Sequence, residues 1–414
     1  MQLRRTFVFA GTLCLCLVTS LAQAGGLWIS EYGTPAQGRA GAGAEAGTDD
    51  ASAGFYNPAS MSRLDRSQMM ASVGVAAATL EFDIDSAIVQ GGDGGDAGTT
   101  APLASFFYVR PLDERWSVGA SMSGLTGATL DYDPGWVGRY QVEKVELLGI
   151  VLEPNVAYRI NDQWSVGWSL PVMYTSLDEK VAIPGPPAPD AQQGRVRIDG
   201  DDWKVSFKLG VLYEISEATR IGLTYLHGFD VKYGGDVDIR LPNLPGGPRQ
   251  ESVSADTSLD FAPVARLSLA HEFSDAFRGY ATFGWEGWSS LDNVNISTEN
   301  RGVPVPKNWD DTYKYAVGAE YDLNRRWTLS GGLAYDTSPV DAGDRTADMP
   351  IDRQIRYAVG VQHTRPSGLK LGAEFTYADY GSAKIRADGF SGDYKSNEIL
   401  FFAVNASWEL DKTR

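Results

Sequence analysis

Six tight polar turns recur after Met61, at Pro111–Arg115, Asn161–Gln163, Ser216–Ala218, Ser274–Ala276, Asn324–Arg325 and Arg365–Gly368. Most lead into a short motif with an aromatic or polar residue first and Gly soon after. Examples are Trp116–Gly119, Trp164–Gly167, Thr219–Gly222, Trp327–Gly331 and Leu369–Gly372. Seven longer loops, polar and rich in Gly and Pro, alternate with these turns near Asp83–Thr100, Asp131–Gln141, Ile183–Gly194, Leu241–Arg249, Ser297–Asn308, Val340–Ile351 and Gly389–Lys395. Six short turns facing seven long loops give fourteen strands with both chain ends on the short-turn side. An even number of antiparallel strands, with short turns on one side and long loops on the other, is the plan of an outer-membrane barrel.

The strands alternate with period two, which places each set of residues on one face of a sheet. Trp203, Val205, Phe207, Leu209, Val211 and Tyr213 share one face, and Lys204, Ser206, Lys208 and Gly210 share the other. Tyr313, Tyr315 and Val317 oppose Lys314, Ala316 and Gly318; Leu400, Phe402, Val404 and Ala406 line the outer face of the last strand. Soluble sheets and propellers alternate too. Here the apolar faces run for about ten residues, the span of a tilted strand crossing a bilayer. Trp and Tyr recur beside the short turns as an interfacial girdle would. The pattern predicts an all-β fold, a 14-stranded antiparallel transmembrane β-barrel, and a propeller's four-strand repeat is missing.

Residues 1–24 have the form of a secretory signal peptide, with Arg4 and Arg5, an apolar run over Phe7–Leu21 and a small-residue cleavage site at Ala22–Ala24. Cys14 and Cys16 fall inside it, so the exported chain carries no thiol for disulfides or metals. Net charge is −17, and −19 once Arg4 and Arg5 are removed. That balance argues against a nucleic-acid partner. His227, His271 and His363 are scattered and no nucleophile elbow is evident, so neither a metal cluster nor a hydrolase triad is expected. No cofactor is predicted. A general porin or adhesin is the other alternative, and a lumen-blocking segment opposes an open pore.

Residues 25–62 differ from everything after them. They are dense in Gly and Ala, too interrupted for a stable helix, yet carry Trp28, Ile29, Tyr32, Phe55 and Tyr56 as apolar anchors. A segment too small for its own core is ordered only inside an enclosure. The expected domains are a signal peptide (1–24), a plug (25–62) inside the lumen and a barrel (63–414).

Several motifs taken together, in order, resemble the FadL-type outer-membrane transporters of long-chain fatty acids and other hydrophobic compounds. Asn57-Pro58-Ala59 is similar to that family's hatch motif, and Gly135–Tyr140 (GWVGRY) to its Trp-Gly-Arg-Tyr signature. Glu153–Arg159 with Asn161–Gly167 resembles its second periplasmic hairpin; Trp309–Tyr313, Ala334–Pro339 and Asp352-Arg353 resemble its late strands. The chain departs from the pattern by ending Asp411–Arg414 rather than on an aromatic residue, and by short Pro-rich loops at Ile183–Gly194 and Leu241–Arg249. The resemblance implies a location in the outer membrane of a Gram-negative bacterium, among outer-membrane lipids. It also implies a monomer that takes up a hydrophobic small molecule, fatty acid or hydrocarbon, captured on the extracellular side. Release would be sideways at a kinked third strand, near Trp116–Leu130, where Gly124 and Gly127 weaken strand pairing. The residue alternation adds three inward cations, Lys208, Arg266 and Lys314, at similar heights above their turns. They either hold a ligand carboxylate or pair with inward acids such as Glu320 and Glu374.

Overall fold

The structure, a computed structural model, describes residues 26–183, 193–241, 247–298 and 301–410. The signal-peptide reading lies outside them. Fourteen barrel strands follow in chain order, several of them broken in two. They are β1 (Gln68–Ala87), β2 (Thr100–Pro111), β3 (Trp116–Asp131), β4 (Lys144–Arg159), β5 (Trp164–Ser169 and Val172–Ile183), β6 (Gly194–Val205 and Lys208–Ser216) and β7 (Thr219–Leu226 and Phe229–Leu241). Then come β8 (Arg249–Phe261 and Val264–Ser274), β9 (Phe277–Glu286 and Asn293–Thr298), β10 (Arg301–Pro306 and Thr312–Asn324), β11 (Trp327–Asp336), β12 (Gln354–Thr364), β13 (Lys370–Asp379) and β14 (Phe390–Glu409). Each pairs antiparallel with its neighbours, and β14 closes on β1 from Gln68↔Glu409 to Ala87↔Phe390. Closure leaves few free edges, and only such a sheet satisfies its backbone within hydrocarbon.

The outer face is apolar, with Trp203, Val205, Leu209, Tyr315, Val317 and Phe402 exposed. Aromatic pairs bracket it. Trp164 stacks on Tyr213 at 4.3 Å beside the short turns, and Tyr174 meets Trp203 at 5.1 Å ten residues further up β5. Ten residues at ~3.3 Å each, tilted by roughly 40°, rise about 25 Å, the height of an outer-membrane apolar band. Above Tyr174 the outer face turns charged, with Asp178 and Arg197 paired at 2.6 Å. The strands therefore continue well above the membrane.

The breaks in β5 to β9 fall side by side, at Leu170-Pro171, Ser206-Phe207, His227-Gly228, Ala262-Pro263 and after Glu286. Prolines lack the N–H a ladder needs, yet pairing continues across the breaks through Leu170 N–H to Pro154 O and Ser206 N–H to Pro171 O. Two loop expectations need correction. Most of Ser297–Asn308 is hairpin, because Arg301–Pro306 runs as an edge strand that, among the described residues, pairs with Asn293–Thr298 alone, and an edge tolerates proline. Gly389–Lys395 belongs to β14 from Phe390, held by pairing to the tall end of β1; the loop is residues 380–389.

Candidate functional site

The N-terminal segment lies against inward-facing residues of the wall from β1 to β14. Its helices are single turns, α1 (Ala44–Gly47) and α2 (Ala53–Tyr56), because glycine interrupts them. Gly43 takes φ +68° beside the Tyr280 ring, so a side chain there would be both strained and crowded. Asn57 caps a 3₁₀ turn over Pro58–Arg63, its Oδ1 accepting from Ala59 N–H at 3.0 Å. Its Nδ2 donates to Glu45 O (2.8 Å) and to Val211 O on β6 (3.1 Å). Pro58 and Ala59 press on the wall at glycines; a Cβ on Gly167 would stand 2.3 Å from Ala59 N, and one on Gly210 2.1 Å from Asn57 Oδ1. The glycine of the Trp164–Gly167 motif is there to let this segment approach. Gly222, from the equivalent motif, sits under α1, where a Cβ would lie 2.1 Å from Glu45 O. Gly222→Val therefore loosens the segment at a cost of about 1–3 kcal/mol, read as faster proteolysis of residues 26–64 in a barrel that still assembles.

β3 carries a bulge between Gly124 and Thr126, with Leu125 the extra residue against β4. Its pairing to β2 ends at Ser105↔Ser123, and from Leu125 to Leu130 every residue is buried. The N-terminal segment seats against this stretch. Ile29 N–H donates to Leu125 O at 3.0 Å and Thr126 Oγ1 to Leu27 O at 2.5 Å. Trp28 fills the space behind, among Phe229, Phe261 and Trp288, with its indole N–H on Ala262 O at 3.2 Å. Gly124 and Gly127 flank this bulge.

Lys208, Arg266 and Lys314 all point inward; Lys208 and Lys314 are buried and Arg266 mostly so. Arg266, Gly284, Lys314 and Asp336 form one cross-strand row, and Lys208 lies opposite Leu226, two residues along β7 from Arg266's partner Thr224. Lys208 bonds both Glu153 oxygens (2.8 and 2.9 Å) and Phe55 O (2.7 Å). Arg266 lies between Glu286 (3.3 Å) and Glu45 (3.9 Å), Lys314 3.9 Å from Asp336. Glu320 instead holds Arg39 and Arg278, and Glu374 bonds Asn405. Arg266 and Lys208 line a cavity of about 50 Å³ with Glu45, Trp28, Tyr32, Phe55, Leu125 and Val264.

A second cavity of about 430 Å³ opens above the membrane zone, within the usual size of ligand pockets. Its walls are the upper strands, with Leu147, Leu177, Ile198, Leu259, Val294 and Ile296, roofed by Tyr140 and by Thr346–Met349. Lys307 and Asp348 pair at 2.5 Å beside Glu179. Burial, with Asp348 adding to it and Lys307 opposing, pushes the Glu179 carboxyl up to about 8. At neutral pH the pocket thus presents an apolar wall with little net charge. The Gly135–Tyr140 signature serves as scaffold: Trp136 stacks on Tyr132 at 3.9 Å, and Arg139 donates to Trp136 O at 2.7 Å.

Sequence reading did not single out Glu31, Asp336 or Arg356. Arg356 is fully buried and bonded to Asp336 and Gln354, with Glu31 3.2 Å from its Nε. Strand parity was the available signal, since Asp336 follows the outward Tyr335 and Arg356 precedes the outward Tyr357.

A closed fourteen-stranded barrel with an aromatic-bounded apolar band defines an outer-membrane β-barrel protein. The chain belongs to the outer membrane protein transport protein family (OMPP1/FadL/TodX), whose family model matches residues 15–408. It is thus a transport protein of the Gram-negative outer membrane rather than an enzyme. It is 24% identical to a long-chain fatty acid transport protein of Escherichia coli O6:H1, over 88% of this chain and 90% of that one. It is 23% identical to outer membrane protein P1 of Haemophilus influenzae, over 92% of each. The fold matches a crystal structure of a Pseudomonas aeruginosa FadL homologue (TM-score 0.85, 21% identity, 93% of this chain and 100% of that one). It also matches the Pseudomonas putida toluene transporter TodX (TM-score 0.67, 15% identity, 89% and 98%).

Proposed function

We propose that this protein takes up long-chain fatty acids, capturing them in the 430 Å³ pocket and releasing them sideways beside β3. Residues 25–62 act as a plug, with Asn57-Pro58-Ala59 pinning its lower end to the wall. The observation that carries this reading is the early end of β2–β3 pairing, at a bulge whose exposed backbone is satisfied by the plug. Withdrawing Leu27–Ile29 opens a path from lumen to bilayer at that point, flanked by Gly124 and Gly127. Apolar cargo then never crosses bulk water, and each buried methylene contributes about 0.8 kcal/mol. Lys208, Arg266 and Lys314 sit where a carboxylate head would arrive while its tail lies among the aromatics. The wall needs no second subunit to form this route, so the protein works as a monomer among outer-membrane lipids.

Uptake of an aromatic hydrocarbon by the same route is the second reading, favoured by the likeness to the toluene transporter's fold. Liposomes bearing the purified protein separate the two through uptake of oleate and of toluene. Oleate uptake with little toluene uptake is the expected result. Removal of residues 25–61 should raise ion conductance and abolish ligand retention. Unchanged uptake and no conductance in that variant would remove the plug from the proposal.

A further inference from the structure

Three cations of the wall, buried Lys314 and Arg356 and mostly buried Arg266, face four carboxylates. Glu286 and Asp336 belong to the wall itself, whereas Glu31 and Glu45 belong to the N-terminal segment. Without that segment the wall keeps three cations against two acids, a surplus that one monoanion balances. The segment's acids meet their cations imperfectly. Glu45 stands 3.9 Å from Arg266 while its other oxygen accepts from Ser268 Oγ at 2.5 Å, and Glu31 lies 3.2 Å from Arg356 Nε but off its N–H axis. Among the described residues the Nε groups of both arginines are buried without a hydrogen-bond partner, and Lys314 has Ser30 Oγ at 3.4 Å and Asp336 at 3.9 Å.

We infer that Glu31 and Glu45 are internal stand-ins for the ligand's head group, and that a fatty-acid carboxylate opens the plug by taking their place on Arg266, Lys314 and Arg356. This rests on the fatty-acid reading above. With the ligand in place of the segment's two acids, three cations face three carboxylates, so no buried cation is left bare, which is the costly alternative. The 50 Å³ cavity beside Arg266 and Glu45 is several times the roughly 10–15 Å³ that admits one water, so a head group has an entry point. Trp28, Tyr32, Phe55 and Val264 receive the first methylenes. A neutral hydrocarbon has nothing to exchange and leaves the segment where it is. A ligand shifts an equilibrium only through differential affinity for its two states, and here the head-group charge supplies that difference. Glu31, Glu45 and Arg356 are on this account specificity-determining residues.

The test compares oleate with methyl oleate, which share the tail and differ in charge. The Glu31→Gln/Glu45→Gln protein keeps the side-chain shapes and removes both stand-ins. Its affinity for oleate should rise by about tenfold or more, while methyl oleate binding moves by less than about twofold. An equal change for both ligands, or none, overturns the exchange, since mere loosening would affect them alike. The exported chain has no native cysteine, so nitroxides at Asp49→Cys and Glu217→Cys report the segment against a periplasmic turn in an otherwise native sequence. Saturating oleate should lengthen that distance and methyl oleate should not; an unchanged distance with oleate bound also overturns the proposal. If the native protein binds the ester but not oleate, the fatty-acid reading falls and the exchange with it. Oleate binding without selective gain in the Gln variant sinks the exchange alone.

Discussion

Joining β2 to β3 across the bulge, by a short bis-maleimide between Ala104→Cys and Gly124→Cys, lowers oleate uptake by tenfold or more while leaving oleate binding unchanged. Ala104 and Gly124 continue the register past Ser105↔Ser123, and Ala104 is exposed on the outer face. The link therefore spans the first position at which the two strands part. On the proposed route capture uses the upper pocket, which the link does not touch, and release uses the gap between β2 and Leu125–Ala128 once Leu27–Ile29 withdraws, which the link closes. Binding and transport should separate for that reason. The unlinked double-cysteine protein controls for loss of Gly124, whose replacement alone should slow uptake modestly. Native uptake rates in the fully linked barrel would rule out lateral release at this place.

A large effect on stability is expected from Arg356→Met. Arg356 bonds Asp336 and Gln354 and faces Glu31 in a region closed to solvent. Truncating it leaves Asp336 with Lys314 at 3.9 Å and Glu31 with no cation within reach among the described residues. Removing one partner of a buried pair costs about 3–5 kcal/mol. The loss should show as a lower unfolding midpoint in urea and as protease cleavage within residues 26–64. Adding Glu31→Gln to Arg356→Met should recover most of that loss, because Asp336 then keeps Lys314 as its partner and no carboxylate of the set is left without a cation. If the double replacement is as unstable as the single one, Arg356 acts through its volume and not its charge.

The sequence alone settled the strand plan and which face each residue takes. A two-residue period and two loop-length classes are local properties, and a bilayer enforces them on every strand. Lys208, Arg266, Lys314, Glu320 and Glu374 could all be placed inward on parity alone, as the structure has them: three are buried, and Arg266 and Glu320 reach Glu45 and Arg39 of the N-terminal segment. Their partners could not. Glu320 meets Arg39 from the N-terminal segment and Lys208 meets Glu153 from β4, pairings that depend on strand tilt and on where an irregular segment comes to rest. The glycines of the repeated motif show the same division. Their spacing was legible as a hairpin signature, but the need for Gly167, Gly210 and Gly222 arises from backbone 26–64 lying within bonding distance of the wall. The bulge at Leu125 and the apolar pocket above the membrane zone belong to the tertiary structure too. One depends on a backbone donor and a backbone acceptor, Ile29 N–H and Leu27 O, brought from about a hundred residues away, the other on side chains from four or more strands converging on one space. Local pattern fixes direction along and across a strand; contact between distant segments is decided only when the sheet closes and its shear sets who faces whom.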